Sequence, residues 1–209
     1  MKRIGLLTSG GDCQALNATM RGIVKGICNH YDEVEIYGFE EGYKGLIYGN
    51  YRLLGPKDFS GILTKGGTII GSSRAPFKEM RIPDANGLDK VEAMKQNYHK
   101  LRLDCLVILG GNGTQKSANL LREEGLNVVT LPKTIDNDLV LTDHTPGYGS
   151  CAKYVATVAY ELARDVCVYN SPSVTILEVM GREAGWVGCA AGLSQHYFGC
   201  GCDLVYLPE

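Results

Sequence analysis

The stretch CLVILGGNGTQKSANLLREEGLNVVTLPKTIDND, residues 105–138, determines the fold class of this chain. Residues 105–109 and 127–131 are short apolar runs containing β-branched residues, which is typical of buried parallel strands. Residues 114–124, between them, are predicted to form a helix. A strand, a helix and a second strand in this order predict a βαβ unit with a parallel sheet.

The same alternation continues on both sides of this stretch. It predicts strands at residues 3–8, 33–39, 174–179 and 203–207, and helices at residues 16–30, 88–101, 147–168 and 186–196. Strands and helices that take turns in this way indicate an α/β fold, with mostly parallel sheets flanked by helices in a Rossmann-type, three-layer arrangement. The least regular part is the glycine-rich region 40–86, and a domain boundary is expected near residues 142–149.

Composition limits the possible functions. A chain of 209 residues with 44% hydrophobic content can bury a substantial core. The 21 basic and 23 acidic residues leave a net charge of −2, which provides no basic surface for nucleic acid. The apolar run at the start is too short for a signal peptide or a membrane span, so we expect a cytoplasmic protein with no membrane partner.

Four predicted strand-to-helix loops carry glycine or acidic residues in the same relative place. They are residues 9–12 (SGGD), 110–114 (GGNGT), 133–138 (KTIDND) and 180–182 (MGR). Glycines let backbone N–H groups approach a phosphate closely, and the N-terminus of the following helix adds a favourable dipole. One such loop is equally well explained as a tight turn, whereas four at one sheet edge favour phosphate binding. Neither a P-loop nor a Gly-x-Gly-x-x-Gly motif occurs.

The loop after residue 131 combines the groups that phosphoryl transfer requires. It offers the carboxylates of Asp136 and Asp138, the hydroxyl of Thr134 and the cation of Lys133. A solvated surface turn is the alternative, because Asn-Asp pairs are ordinary turn formers.

The motifs together resemble the 6-phosphofructokinase family. The matching segments, in chain order, are residues 5–12 (GLLTSGGD) with Asn17 and residues 21–22, then 41–46 (EGYKGL), 66–74 (GGTIIGSSR), 110–114 (GGNGT), 132–138 (PKTIDND) and 178–182 (EVMGR). The resemblance runs from end to end of the chain in family order. It implies transfer of a phosphoryl group from ATP to the 1-hydroxyl of fructose 6-phosphate in glycolysis.

The resemblance also implies a role for individual residues. The phosphoryl donor would be held by Gly11, Arg74, Gly111, Asn112, Gly113, Thr114 and Lys133. Fructose 6-phosphate and the transferring phosphoryl group would be bound by Thr134, Ile135, Asp136, Met180, Gly181 and Arg182. Asp136 would be the catalytic base, with Thr134 and Arg182 beside it. Magnesium would be held by Asp138, Asn112 and Asp12. Residues 1–145 would form the donor-binding domain and residues 146–209 the start of a truncated sugar-phosphate domain.

Three positions depart from the bacterial ATP-dependent pattern. Asn112 replaces a metal-binding Asp, and an amide oxygen is the poorer magnesium ligand. Lys133 is shared with pyrophosphate-using members, whereas Gly113 keeps the small residue of ATP users. Because an Asp at that position would repel the inner phosphate of a nucleotide, we give Gly113 the greater weight and expect ATP. Ser173 stands where many members place an arginine that reaches a neighbouring subunit.

Other functions stay open on the sequence alone. They are a pyrophosphate-dependent fructose 6-phosphate 1-phosphotransferase, a non-catalytic nucleotide-binding fragment, and an NAD or lipid kinase. Family members continue past residue 209, so the chain as given is expected to be an inactive fragment with exposed apolar surface. The full-length form is expected to be a homo-oligomer, a dimer or a tetramer.

Overall fold

The computed structural model describes residues 1–208, which form two compact units. The first unit is residues 1–133, and the second begins at Thr134. The predicted division between donor and sugar-phosphate domains, at residues 145/146, lies further along the chain and stays a prediction.

The first unit is built on one five-stranded sheet. Its strands are β1 (Lys2–Thr8), β2 (Val34–Phe39), β3 (Tyr51–Leu54), β4 (Cys105–Gly110) and β5 (Val128–Pro132). Their order is β3-β2-β1-β4-β5, and every neighbouring pair is parallel except β2 with β3. The predicted α/β class with a mostly parallel sheet flanked by helices is therefore confirmed.

Amphipathic helices supply the rest of the core. The helices are α1 (Ala15–His30), α2 (Tyr43–Tyr48), α3 (Lys90–Lys100), α4 (Asn112–Glu123), α5 (Tyr148–Val166) and α6 (Trp186–Phe198). In α1, Leu16, Met20 and Val24 recur at helical spacing and are almost fully buried. No helix within residues 1–208 is both long enough and apolar enough to cross a membrane.

Two features of the first unit differ from the sequence-based prediction. Helix α2 and strand β3 lie inside the region predicted to be irregular, and β3 is antiparallel to β2. Strand β5 is parallel as predicted, but it is not a buried strand. It lies at the edge of the sheet, where Val129 is 50% exposed, because only β4 pairs with it.

The second unit contains α5 and α6, which pack through Val155, Ala159, Val187 and Ala191. The strands predicted at residues 174–179 and 203–207 are wrong, since neither segment forms a strand. In the first segment, Leu177 and Val179 are partly buried and pack against the α5–α6 cluster, whereas Val174 and Ile176 are exposed. However, no strand within residues 134–208 lies beside either segment to complete a backbone ladder.

Candidate functional site

The glycine-rich loops that the sequence predicts to bind phosphate meet, in the first unit, at one edge of the sheet. Strands β1, β4 and β5 are adjacent and parallel, so their carboxyl ends point the same way. The backbone N–H of Ser9 donates to the carbonyl of Leu109 at 2.9 Å, and that of Lys133 donates to Gly110 at 3.0 Å. Residues 9–12 and 110–114 are thereby brought together with Lys133, as the sequence predicted.

Helix α4 presents an open N-terminus at this edge. Its N-cap is Gly111, and no side chain caps the first turn. Asn112 and Gly113 are exposed, and a Cβ added at Gly113 would meet no atom within 4 Å. The first-turn N–H groups and the helix dipole can therefore act on an anion.

Thr114 anchors this N-terminus to the rest of the unit. Its side chain packs so closely on Gly110 that a Cβ at Gly110 would overlap it. The hydroxyl of Tyr43, in α2, donates to the carbonyl of Thr114 at 2.8 Å. Burial raises the pKa of Tyr43 far above its usual value, so this hydroxyl stays protonated and keeps donating.

Lys133 is a buried cation under the β1–α1 loop. It is only 5% exposed, and its Nζ donates to the carbonyl of Gly11 at 2.5 Å. A Cβ added at Gly10 would lie 3.5 Å from the same Nζ. Burial raises the pKa of the nearby Cys13 thiol, and the Ala15 N–H and the Lys133 charge partly oppose this rise. Lys133 therefore places a fixed positive charge beside the loop that the resemblance assigns to the donor.

Arg74 follows two residues, Ser72 and Ser73, that are hydrogen-bonded to the β1–α1 loop. The N–H of Gly10 donates to the carbonyl of Ser73 at 3.0 Å, and the hydroxyl of Ser72 donates to the carbonyl of Gly10 at 2.7 Å. Arg74 itself is exposed and lines a cavity of about 230 Å³ together with Lys44, Tyr48 and Lys90, among others. Three cations, Lys44, Arg74 and Lys90, and one carboxylate, that of Glu79, line this cavity.

The predicted magnesium ligands offer only sparse carboxylate coordination. Asp12, Asn112 and Asp138 are all exposed, and no group of three His, Cys, Asp or Glu residues within residues 1–208 could hold a metal ion. Magnesium usually keeps several waters and binds proteins through one or two carboxylates plus substrate phosphates. These residues fit magnesium brought with a phosphorylated donor, rather than a metal resident in the protein.

In the second unit, the loop that begins at Thr134 is internally braced. The N–H of Asp136 donates to the Thr134 hydroxyl at 3.1 Å. The side chain of Asn137 accepts from the N–H of Thr145 at 2.9 Å, and Asn137 adopts the left-handed conformation with φ +52°. A β-bridge between Thr134 and Gly147 closes the loop just before α5. Asp136 and Ile135 are half-buried on this braced loop, which holds the predicted base in a fixed place.

Met180, Gly181 and Arg182 form a tight turn before α6. Gly181 has φ +142°, and a Cβ there would overlap the carbonyl of Ala184, so only glycine fits. Met180 is 65% exposed, and Arg182 is exposed. The predicted strand before this turn is absent, but the turn presents the arginine to solvent.

Sequence reasoning gave no role to Asn17 and Thr8, which are both fully buried. Their side chains hold the backbone that leads to Arg74. The sequence did contain a signal for Asn17. It is a polar residue on the inward face of α1, next to Leu16 and about one turn before Met20.

The chain is similar to known proteins over almost all of its length. Residues 3–209 match the family described as Phosphofructokinase. The whole chain is 48% identical to an ATP-dependent 6-phosphofructokinase of Spirochaeta thermophila and covers 56% of it. A pyrophosphate–fructose 6-phosphate 1-phosphotransferase of Amycolatopsis methanolica is 41% identical over 99% of the chain, which covers 56% of it.

The fold is also similar to solved structures. A pyrophosphate-dependent phosphofructokinase from Marinobacter aquaeolei superposes with a TM-score of 0.77 at 28% identity, over 93% of this chain and 50% of that one. The chain thus spans about half the length of the relatives that it matches.

Proposed function

The chain belongs to the phosphofructokinase family, and on that premise we propose that it is part of a 6-phosphofructokinase. The reaction is transfer of a phosphoryl group from ATP to the 1-hydroxyl of fructose 6-phosphate, giving fructose 1,6-bisphosphate. The observation that carries the proposal is the open N-terminus of α4 beside the β1–α1 glycine loop, with Lys133 buried below that loop. We further propose a cytoplasmic, glycolytic enzyme that works as a homo-oligomer.

The donor side consists of backbone N–H groups and fixed cations. Gly11, Gly111 and Gly113 offer N–H groups that no side chain of their own covers, and Arg74 can bind phosphate oxygens with two parallel bonds. Phosphoryl transfer depends mainly on positioning and on stabilising charge, and both are supplied by such a rigid set of donors. Residues 1–145 are accordingly proposed as the donor-binding domain.

The acceptor side depends on the second unit. Asp136 would take the proton from the 1-hydroxyl, and the bonded Thr134 hydroxyl would keep its backbone in place. Ile135, Met180 and Gly181 would contact the sugar phosphate, and Arg182 would neutralise charge on the transferring group. Residues 146–209 are proposed as the start of the sugar-phosphate domain.

Magnesium is proposed to arrive with the donor, and Asp12, Asn112 and Asp138 are the protein side chains proposed as its ligands. When bound, it would supply charge neutralisation for the donor phosphates. The protein would contribute one or two carboxylates to its shell, and the amide oxygen of Asn112 would be a weaker ligand than either.

ATP is the favoured donor, for two reasons. The space above Gly113 is open, so nothing blocks the inner phosphate of a nucleotide. The cavity of about 230 Å³ beside Arg74 offers room for a nucleoside, which pyrophosphate lacks. The buried Lys133 is the observation that favours pyrophosphate as a second candidate, because it adds positive charge at the donor loop.

The test is a steady-state assay of the protein at its natural length with fructose 6-phosphate and either donor. We expect turnover with magnesium and ATP and a lower kcat/KM with pyrophosphate. The absence of turnover with both donors would refute the proposed reaction, and higher efficiency with pyrophosphate would refute the choice of ATP.

A further inference from the structure

The segment of residues 65–74, which leads to Arg74, has no helix or strand of its own. Its conformation depends on bonds from other elements. The main anchor is Asn17 in α1, which is 0% exposed. Its Nδ2 donates to the carbonyls of Lys65 at 2.9 Å and Gly66 at 3.2 Å, and its Oδ1 accepts from the N–H of Ile69 at 2.9 Å.

Thr8, at the end of β1, is a second anchor for the same segment. It is fully buried, and its hydroxyl donates to the carbonyl of Gly71 at 2.8 Å and lies 2.9 Å from the hydroxyl of Thr68. Gly71 itself has φ +69°, so the chain turns at this bond. Beyond the turn, Ser73 is bonded to Gly10, and Arg74 follows directly.

These contacts form a continuous path from α1 to the donor loop. A buried amide that uses both N–H donors and its oxygen on one irregular segment fixes that segment more tightly than any single bond. The backbone of residues 65–69 is otherwise held by the local bonds Lys65 N–H to Ile62 and Gly71 N–H to Thr68, and by the exposed contact between Arg52 and the carbonyl of Ile69. Nearer Arg74, the N–H of Glu41 donates to the carbonyl of Ile70, and the hydroxyl of Ser73 donates to the carbonyl of Glu41. Asn17 is the buried side chain that ties residues 65–69 to α1, so the path of the chain towards Arg74 depends on it.

We propose that Asn17 is a positioning residue for phosphoryl-donor binding, which acts through Arg74 without touching the donor. This inference rests on the proposed function, since it assigns Arg74 to the donor. It predicts that loss of the amide releases residues 65–74 and weakens donor affinity, while the remainder of the first unit keeps its fold.

The first measurement is hydrogen exchange, which needs no ligand. In Asn17→Ala, peptides covering residues 65–74 should exchange at least about tenfold faster, because the Ile69 N–H loses its acceptor. Thr8→Val should loosen the same segment to a smaller extent, and it is the fallback if Asn17→Ala does not fold. Asn97→Ala is the matched control, since the Asn97 amide also donates to two carbonyls, those of Leu46 and Ile47. It should leave residues 65–74 unchanged.

The second measurement is a double-mutant cycle on donor affinity, with magnesium ATP and no fructose 6-phosphate. Asn17→Ala should weaken binding about tenfold in the wild-type background and have almost no effect in an Arg74→Ala background. Equal losses in both backgrounds, or unchanged exchange of residues 65–74, would overturn the positioning role. If the wild type binds no donor, the proposed function fails, and the exchange result still decides whether Asn17 holds the segment.

Discussion

Replacement of Gly113 by Asp tests how this chain selects its phosphoryl donor. Gly113 is the second residue of α4 and lies in its exposed first turn. An added Cβ meets no atom within 4 Å, and the glycine does not have a positive φ. The aspartate can therefore be accommodated without backbone strain. A carboxylate in the first turn of a helix contributes about 0.3–1 kcal/mol of stabilisation, so folding should not suffer.

The expected effect on ATP follows from charge repulsion. Two unit charges about 4–6 Å apart, at an effective dielectric of about 20, repel by roughly 3–4 kcal/mol. Solvent and magnesium screening at this exposed position reduce the net penalty to roughly 1.4–2 kcal/mol, which corresponds to about 10–30-fold in kcat/KM. Pyrophosphate lacks the inner, nucleoside-bearing phosphate, and Lys133 still offers its cation. Its kcat/KM should therefore hold or rise.

The assay compares kcat/KM for both donors in the wild type, Gly113→Asp and Gly113→Asn, in the protein at its natural length. The Asn variant has nearly the same size without the charge, so it separates bulk from electrostatics. Melting temperatures confirm that all three proteins fold. Parallel losses with both donors, or an Asn variant as impaired as the Asp variant, would refute the electrostatic argument.

Three further substitutions test other parts of the structure. Asp136→Asn should lower kcat by about 10²–10⁴ while donor affinity is kept, because an amide cannot accept the proton; near-normal turnover would remove Asp136 as the base. Gly45→Ala should destabilise the protein by about 3 kcal/mol in chemical denaturation, since its Cβ would overlap the backbone of Glu40; an unchanged midpoint would contradict this packing. Asp89→Ala removes the N-cap bonds to the first turn of α3 and should cost about 1 kcal/mol, or roughly 2–4 °C in Tm. A melting curve identical to the wild type would show that α3 does not depend on this cap.

The regular elements of the first unit could be predicted from sequence because their burial pattern is strong. Strands β1 and β4 are almost continuously buried, and α1 buries one face at helical spacing. Strand β3 was not predicted from the sequence, because three of its four residues are exposed and leave no hydrophobic alternation. Its existence depends on pairing with β2, and this is a tertiary effect.

The errors in the second unit have a different physical origin. The apolar residues of the segment 174–179 predicted a strand, but only Leu177 and Val179 pack inwards, whereas Val174 and Ile176 are almost fully exposed. The pattern contains no information on whether another strand is available for backbone hydrogen bonds. An extended segment with one packed face and a true strand therefore give the same signal in the sequence.

The candidate site was predictable in outline only. Strand ends that share an edge bring their loops together, so the glycine motifs indicated that residues 9–12 and 110–114 would meet. The bonds that hold these loops could not be read from motifs. Lys133 looked like a ligand for the donor, yet its ammonium contacts the carbonyl of Gly11. Asn17 looked like part of a helix, yet it holds a segment about fifty residues away in the chain.

The β1–α1 loop is thus held by three residues distant in sequence. Lys133 donates to the carbonyl of Gly11, the N–H of Gly10 donates to Ser73, and the N–H of Ser9 donates to Leu109. A glycine-rich loop has high conformational entropy in isolation, which would weaken any ligand that had to order it. Because these contacts order the loop before the donor arrives, that entropic cost falls on folding instead of on binding. The glycines leave the N–H groups accessible, and the surrounding buried polar side chains supply the rigidity that the glycines lack.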